Sequence, residues 1–357
     1  MDALERLNHR LEAGGTEHRL YPEDLLKNPT ADLQVTPIHH SLFVASDGEE
    51  IRGGTWLREQ YFSVAGSRHR VGWMKYPISE SLVDSQYTGV AASMVLQLLR
   101  EQPRLMALGM GGHGAPFARL LAGIKWRSST IPFRFRLVRP ARVLRKLSYA
   151  RRRVAIRVAM DVTAWSGLAW VAHHLHRATA YRVPPGVSVS IESQFAPWAD
   201  CVWAACHAQY PVLAVRDAGT LDHLYPASLS NLQRLRVTRE RDDVGWACCQ
   251  ILSRADVTAS YFGDLRVGLV TDMLARPADA AAVLGAAVQY FEDIGTDLII
   301  TYVCHAAWLE AARRLRFVTG PSTFAFYRAP QTDKLLGSGC SGQDWHFTRS
   351  DGDGPKR

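Results

Sequence analysis

Apolar and polar positions along the chain change period repeatedly, and each change marks an element. Residues 41–45, 51–64 and 70–78 read as strands, with Asp47-Gly48 and Ala65-Gly66-Ser67 as the turns between them. Met94, Val95, Leu98 and Leu99 then recur at helical spacing, followed by a strand at 105–110, a helix at 113–124 and a strand at 129–138. Helical periodicity resumes at 143 and runs to about 177, with Val162, Trp165, Leu168, Ala172 and Leu175 on one face. Val183-Pro184-Pro185-Gly186 ends it.

The second half repeats the order. Residues 232–237, 245–252 and 265–270 read as a three-strand meander. A helix at 280–291, a strand at 298–303, a helix at 306–315 and a strand at 324–327 follow. Val71-Gly72-Trp73 pairs loosely with Val267-Gly268-Leu269, and His113 with Lys125-Trp126 pairs with His305 and Arg316-Phe317. The pattern predicts an α/β (α+β) chain of two similar domains, 31–140 and 188–330, each a mixed, mostly antiparallel sheet flanked by helices. An N-terminal extension (1–30), a basic and amphipathic helical linker (141–187) and a polar, flexible tail (331–357) complete the division.

The stretch with the clearest chemistry is Ser85-Gln86-Tyr87-Thr88-Gly89-Val90-Ala91, between the strand at 70–78 and the helix after it. A helix start offers unpaired backbone N–H groups and the positive end of a dipole. Gly89 and Ala91 keep that start slim enough for a bulky anion to approach the backbone. Gln86-x-x-Gly89-x-Ala91 matches the Gln/Arg-x-x-Gly-x-Gly/Ala signature of the GNAT superfamily, the acyl-CoA-dependent N-acetyltransferases, and the surrounding order of elements resembles a GNAT domain. The Lys125-Trp126 pair stands where the family commonly has Gly-Phe.

That resemblance implies direct transfer of an acetyl group from acetyl-CoA to an amine, with no metal. Residues 86–91, namely Gln86, Tyr87, Thr88, Gly89, Val90 and Ala91, would hold the pyrophosphate. The family's splayed central strand, here Pro77, Ile78 and Ser79, would bond the pantetheine arm through its backbone. Glu80, at the strand's end, and His113, in the place of a family asparagine, are the candidates for general base, with Asp84 behind them. Leu121 stands where a family tyrosine would serve as acid, and Trp73, Met74 and Met110 lie near enough to shape an acyl pocket. The second copy lacks the signature. Its 271–278 segment is Thr-Asp-Met-Leu-Ala-Arg-Pro-Ala, and Asp272 and Asp279 would put negative charge where a pyrophosphate should sit. The residues do not identify the amine, for which an amino sugar or related small metabolite is one option. Two rivals stay open: a FemAB-like aminoacyl transferase using aminoacyl-tRNA, and a non-catalytic acyl-CoA-binding scaffold.

Composition narrows the setting. With 357 residues, 47% hydrophobic and 21% charged, the chain has material for two cores. The net charge of +8 matches the eight cations between Arg139 and Arg157, a stretch without an acid. Together with the amphipathic run it makes 139–177 a candidate for peripheral contact with an anionic membrane, the competing reading being an interdomain helix with solvated arginines. No aromatic-interleaved basic motif points to nucleic acid. Six scattered cysteines fit no zinc spacing and read as buried thiols. No leader pattern and no uncharged apolar run of spanning length occur, so the expected location is the cytoplasm, with the inner membrane face as an option.

Overall fold

In a computed structural model, the described residues are 2–20, 37–147, 154–166, 181, 183–252, 262–337 and 342–352. They fall into two compact units. The first comprises Met1–Ile131, Val212–Val215 and Ser322–Ser341; the second comprises Pro132–Pro211, Arg216–Pro321 and Gly342–Arg357.

In the first unit, α1 (Asp2–Ala13) precedes the meander of β1 (Ile38–Asp47), β2 (Glu50–Val64) and β3 (Ser67–Ser79). Then come α2 (Thr88–Glu101), β4 (Leu105–Gly109), α3 (Pro116–Gly123) and β5 (Arg127–Thr130). Within this unit the later strands β8 (Val212–Ala214) and β14 (Ala325–Arg328) join the sheet, in the order β8-β2-β3-β4-β14-β5 with β1 also paired to β2. β3 and β4 pair in parallel, whereas β1 with β2, β2 with β3 and β8, and β14 with β4 and β5 pair antiparallel. Val95 and Leu98 of α2 and Ala118 and Leu121 of α3 pack with Leu57, Met74, Leu105 and Ala107 of the sheet. Trp73 is fully buried between Phe62 and Phe326, and Met74 is core, so neither is free to line a pocket as expected.

The second unit holds β6 (Phe133–Leu137), α4 (Pro140–Lys146), α5 (Val154–Trp165), β7 (Val187–Glu192), β9 (Leu232–Arg239), β10 (Asp242–Leu252) and β11 (Val267–Ala275). The helix Ala280–Asp293, β12 (Leu298–Tyr302), the helix Ala306–Arg314 and β13 (Val318–Gly320) follow. Its sheet runs β13-β6-β12-β11-β10-β9-β7, with β11 and β12 parallel. Every strand and helix expected of the second meander is present, as is the two-sheet α+β architecture.

The two copies match in detail. Gly53 on β2 lies under α2, where an added Cβ would meet Ile78 O at 2.8 Å and Val90 Cγ1 at 3.0 Å. Gly245 on β10 lies under the helix Ala280–Asp293, with Leu274 O at 2.5 Å and Val283 Cγ2 at 2.6 Å. Lys125 and Arg316 each follow a helix with φ of 65° and 63°. At both places the next residue's N–H returns to the helix, Trp126 to Leu121 O and Phe317 to Ala312 O. A helix stop in this left-handed conformation favours glycine, which accounts for the Gly-Phe expected there.

The structure corrects several expectations. The strand at 129–138 is two strands in different sheets. Pro132 brings no N–H to a ladder, and the chain breaks there: Ile131 N–H donates to Phe324 O, while Pro132 O accepts from Val303 N–H. The strand at 324–327 lies in the first sheet, between β4 and β5, rather than closing the second. β7, β8 and the helices Pro197–Cys206 and Ala218–Leu224 were not legible in the pattern. The long helix expected from 143 is interrupted: α4 ends at Lys146, Leu147 is extended, and α5 spans Val154–Trp165. Val162 on α5 is 62% exposed instead of packed, while Arg142 and Lys146 pair with Asp297 and Asp264. Leu168, Trp170, Ala172, Leu175 and Arg151 to Arg153 lie outside the described residues, as do the side chains of Arg157 and Trp165.

Asp272 is no loop residue either. It sits in β11, 1% exposed, where Arg216 Nε and Nη2 and the Tyr225 and Thr348 hydroxyls all donate to its carboxylate. Arg216 also reaches Asp351 at 2.9 Å. The tail from 331 is ordered in its described parts: Pro330–Leu336 is a helix, and Trp345, His346, Phe347, Thr348 and Asp351 are buried. Parallel pairing of β11 with β12 ends at Val270 and Thr301. Beyond that point Thr348 bridges to Val303, and the Cys304 thiol donates to Trp345 O at 2.8 Å. The tail therefore fills the gap between the two parting strands.

His346, 1% exposed, is held well below the ordinary histidine pKa by burial first and by the nearby positive charge of Arg216 and His305 second. His305 is lowered as well, again by burial. A histidine kept neutral in the fold binds its proton only on unfolding, so this stability is present above the unfolded pKa near ~6.5 and is lost as pH falls. Denaturant midpoints are expected to drop between pH 7.5 and 5.5, with a slope of up to ~1.4 kcal/mol per pH unit for each histidine. His346→Leu should flatten that slope; an unchanged pH profile in the variant would show that His346 does not carry it.

Candidate functional site

The first unit has strands that part in the same way as those of the second, and among the described residues no strand lies between them. β3 and β4 pair only over Gly72 to Met74 against Leu105 to Ala107. Past that point β4 stays with β14, while β3 stays with β2 through a bulge: Gly54 faces Ile78, Trp56 faces Lys75, and Tyr76 and Pro77 share one opposing residue. Tyr76 takes a positive φ of 48°, which re-aims the strand and leaves its ring 53% exposed. Thr55 Oγ1 fastens the bulge by donating to Lys75 O. Among the described residues, no strand pairs with 75–79 on the side that faced β4.

The anion end lies at the start of α2. Ser85–Tyr87 is a single 3₁₀ turn whose start is capped by Asp84, which accepts from Gln86 N–H at 3.0 Å and from Gln86 Nε2 at 2.6 Å. The helix then begins at Thr88, whose hydroxyl donates to Ser85 O. Tyr87, its N-cap residue, contributes no side-chain acceptor to the first turn, and the Thr88 N–H is spent on Ser85 O. A Cβ added to Gly89 would meet nothing within 4 Å. Gln86, Tyr87, Thr88, Gly89, Val90 and Ala91 thus form a helix start with open space above Gly89, and a phosphate-bearing ligand fits that chemistry.

Glu80 stands between the loop and the strand end, but its carboxylate is engaged. The side chain is 6% exposed; Arg10 Nε donates to one oxygen at 2.8 Å and Arg52 Nη1 to the other at 3.1 Å. Arg10 also binds Glu50 and Ile51 O, which ties α1 to β2. Arg52 lies over the Tyr87 ring, 4.5 Å from its centroid. Taking a proton from an amine would require Glu80 to leave one of these guanidinium groups. The sequence offered no signal for Arg10 or Arg52, because the partners lie 70 and 28 positions away.

His113 is exposed and precedes α3, whose N-cap is Ala115, so it caps no helix. It stands on a turn of left-handed residues, Gly109, Met110, Gly111 and Gly112, and its Nε2 lies 2.9 Å from Thr130 Oγ1. The Tyr327 ring is 6.0 Å away, and its hydroxyl donates to Gly112 O at 3.2 Å. Burial raises the Tyr327 pKa, so it remains a protonated donor. Leu121 is core. Asp84 is spent on Gln86, and the reach of Met110, partly buried against the core, is limited accordingly.

No protein-family model matches the chain, and no curated protein is similar to it in sequence. Solved structures do match. A conserved protein of unknown function from Enterococcus faecalis, described as a probable N-acyltransferase, aligns with a TM-score of 0.51 at 9% identity, over 84% of this chain and 64% of that one. A GCN5-related N-acetyltransferase from Anabaena variabilis aligns at TM-score 0.48 and 10% identity, over 81% and 62%. A tandem GNAT protein from the clavulanic acid biosynthesis pathway aligns at 0.45 and 11%, over 82% and 83%. The likeness to the Enterococcus protein is one of fold, and the chain itself shows two mixed sheets flanked by helices. The chain spans less than two thirds of the length of the Anabaena and Enterococcus proteins.

The second copy differs from the first at the corresponding helix start. Asp279 occupies the N-cap of the helix Ala280–Asp293, 5% exposed and paired with Arg239 and Arg276, and the first turn of that helix is buried. Burial pushes the thiols of Cys206 and Cys304 up to about 12 and raises those of Cys248 and Cys249, so none of these four is a ready nucleophile. Among the described residues, no cluster of three metal-ligating side chains occurs and no helix is long and apolar enough to cross a membrane.

Since Glu80 anchors two partly solvated guanidinium groups, Glu80→Ala is expected to cost about 1–3 kcal/mol of unfolding free energy. Urea titration measures it. A loss below about 0.5 kcal/mol would mean that the pairs hold nothing in place.

Proposed function

We propose that this protein is an acyl-CoA-dependent N-acyltransferase whose donor binds the first unit, with acetyl-CoA as the reference donor and an amine as acceptor. The observation that carries the reading is a helix start with clear space above Gly89, next to a strand end whose pairing with β4 stops at Met74. In this reading the first-turn N–H groups of α2, around Gly89, Val90 and Ala91, hold the pyrophosphate, and the backbone of Pro77, Ile78 and Ser79 holds the pantetheine arm. The thioester supplies the acyl group. The amine attacks its carbonyl carbon, the C–S bond breaks, and the proton lost by nitrogen is taken by a base and returned to the departing thiolate.

Of the two candidate bases, His113 has the exposed ring and no carboxylate to release first, so we assign it the proton. Tyr327 positions it by holding the Gly112 carbonyl of its turn. Glu80 is assigned to holding Arg52 beside Tyr87, with base catalysis as its second possible role. The second copy, closed by its tail and Asp279, is assigned a supporting role without a donor.

Gly89→Glu tests this directly. The added side chain meets open space, so the fold should tolerate it, whereas its charge opposes a pyrophosphate. Isothermal titration of acetyl-CoA and of CoA is expected to show one-to-one binding to wild type and a loss of at least about tenfold in the variant. An inert wild type would overturn the acyl-CoA reading in favour of aminoacyl-tRNA or of no transfer at all. Binding that Gly89→Glu leaves intact would move the donor away from this loop.

A further inference from the structure

β7 is the last strand of the second sheet, paired antiparallel with β9 on one side and with no described strand on the other. An open edge presents a row of unpaired N–H and C=O groups, and proteins that stay monomeric usually spoil such an edge with lysine, proline or a bulge. β7 reads Val-Ser-Val-Ser-Ile-Glu, contains neither lysine nor proline, and holds an unbroken register against β9. Val189 is 44% exposed and Ile191 58%.

These two side chains are not scattered surface residues. Val189 lies opposite Val237 and Ile191 opposite Leu235, and residues directly opposed across a pair share one face of the sheet. Val237 and Leu235 are both 0% exposed. The core-facing row of the second sheet thus continues outward onto β7, past the point where its own helices cover it.

We propose that two copies of this chain pair through β7, antiparallel and related by a two-fold axis, so that their second sheets form one continuous sheet. The strand is self-complementary about Val189. With Val189 facing its counterpart, Val187 meets Ile191, Ser188 meets Ser190, and every apolar side chain stays on the core-facing side. In a chain of net charge +8 the strand carries no cation to repel its copy. The two Glu192 carboxylates fall at opposite ends of the paired segment, about 20 Å apart, beyond the screening length of about 8 Å. A contact of one short strand from each copy is small, so the dimer should dissociate on dilution.

Light scattering coupled to size exclusion, over about 1 to 100 µM full-length protein, reads the mass. The expected result is a shift from one chain, 39.8 kDa, towards twice that value as concentration rises. Val189→Lys sets two ammonium groups face to face and should hold the mass at one chain, with circular dichroism and thermal midpoint as for wild type. An equimolar mixture of Val189→Lys and Val189→Glu should restore the dimer, which neither variant forms alone. A wild type that remains a single chain at the highest concentration overturns the proposal, and so does a Val189→Lys protein that still dimerises or a mixture that fails to restore pairing.

Discussion

Two parallel strands that part company leave backbone donors and acceptors without partners, and such groups must be satisfied by something. This constraint shapes both halves of the molecule. In the second unit the answer is internal: the segment around Thr348 bridges to Val303, bonds Asp272, and receives the Cys304 thiol on its carbonyl groups. In the first unit the bulge at Tyr76 and Pro77 turns β3 away from β4, and no described strand follows. The second gap has become core, and both arise from the same pairing geometry.

Charge follows the same division. Asp272 and Arg216 are both 1% exposed, so neither is stable there without the other, and Tyr225, Thr348 and Asp351 complete the set. The cluster lies on β11, at the level where the strands part. In the first unit the network around Glu80 is only partly buried on its cationic side: Arg10 and Arg52 keep 28% and 18% of their side-chain surface. It ties α1, the end of β3 and the Tyr87 turn together, while leaving the helix start itself unblocked.

Each sheet is also completed by a strand from the opposite half of the sequence. β14 enters the first sheet between β4 and β5, and β6 enters the second between β12 and β13. Tyr327, which holds the turn before His113, arrives on β14 from 215 positions away from the carbonyl it bonds. The candidate site of the first unit therefore depends on residues near the end of the chain.

Much was legible beforehand because it is local. Strand and helix periods, Gly89 at a helix start, and the matching pairs Gly72/Gly268 and Lys125/Arg316 are written within windows of a few residues, where backbone preference and side-chain period act. The acidic 271–279 segment already marked the second copy as different. What remained hidden is non-local. Nothing in a linear pattern says that Arg10 will find Glu80, that Asp272 will be buried against Arg216 instead of facing a ligand, or that a Gly/Asp/Ser-rich tail will lie in a strand gap. Nor does a strand-like run declare which sheet it will join, as 129–138 and 324–327 showed. Hydrogen-bond demand and burial decide those matters, and both depend on which distant segments the fold brings together.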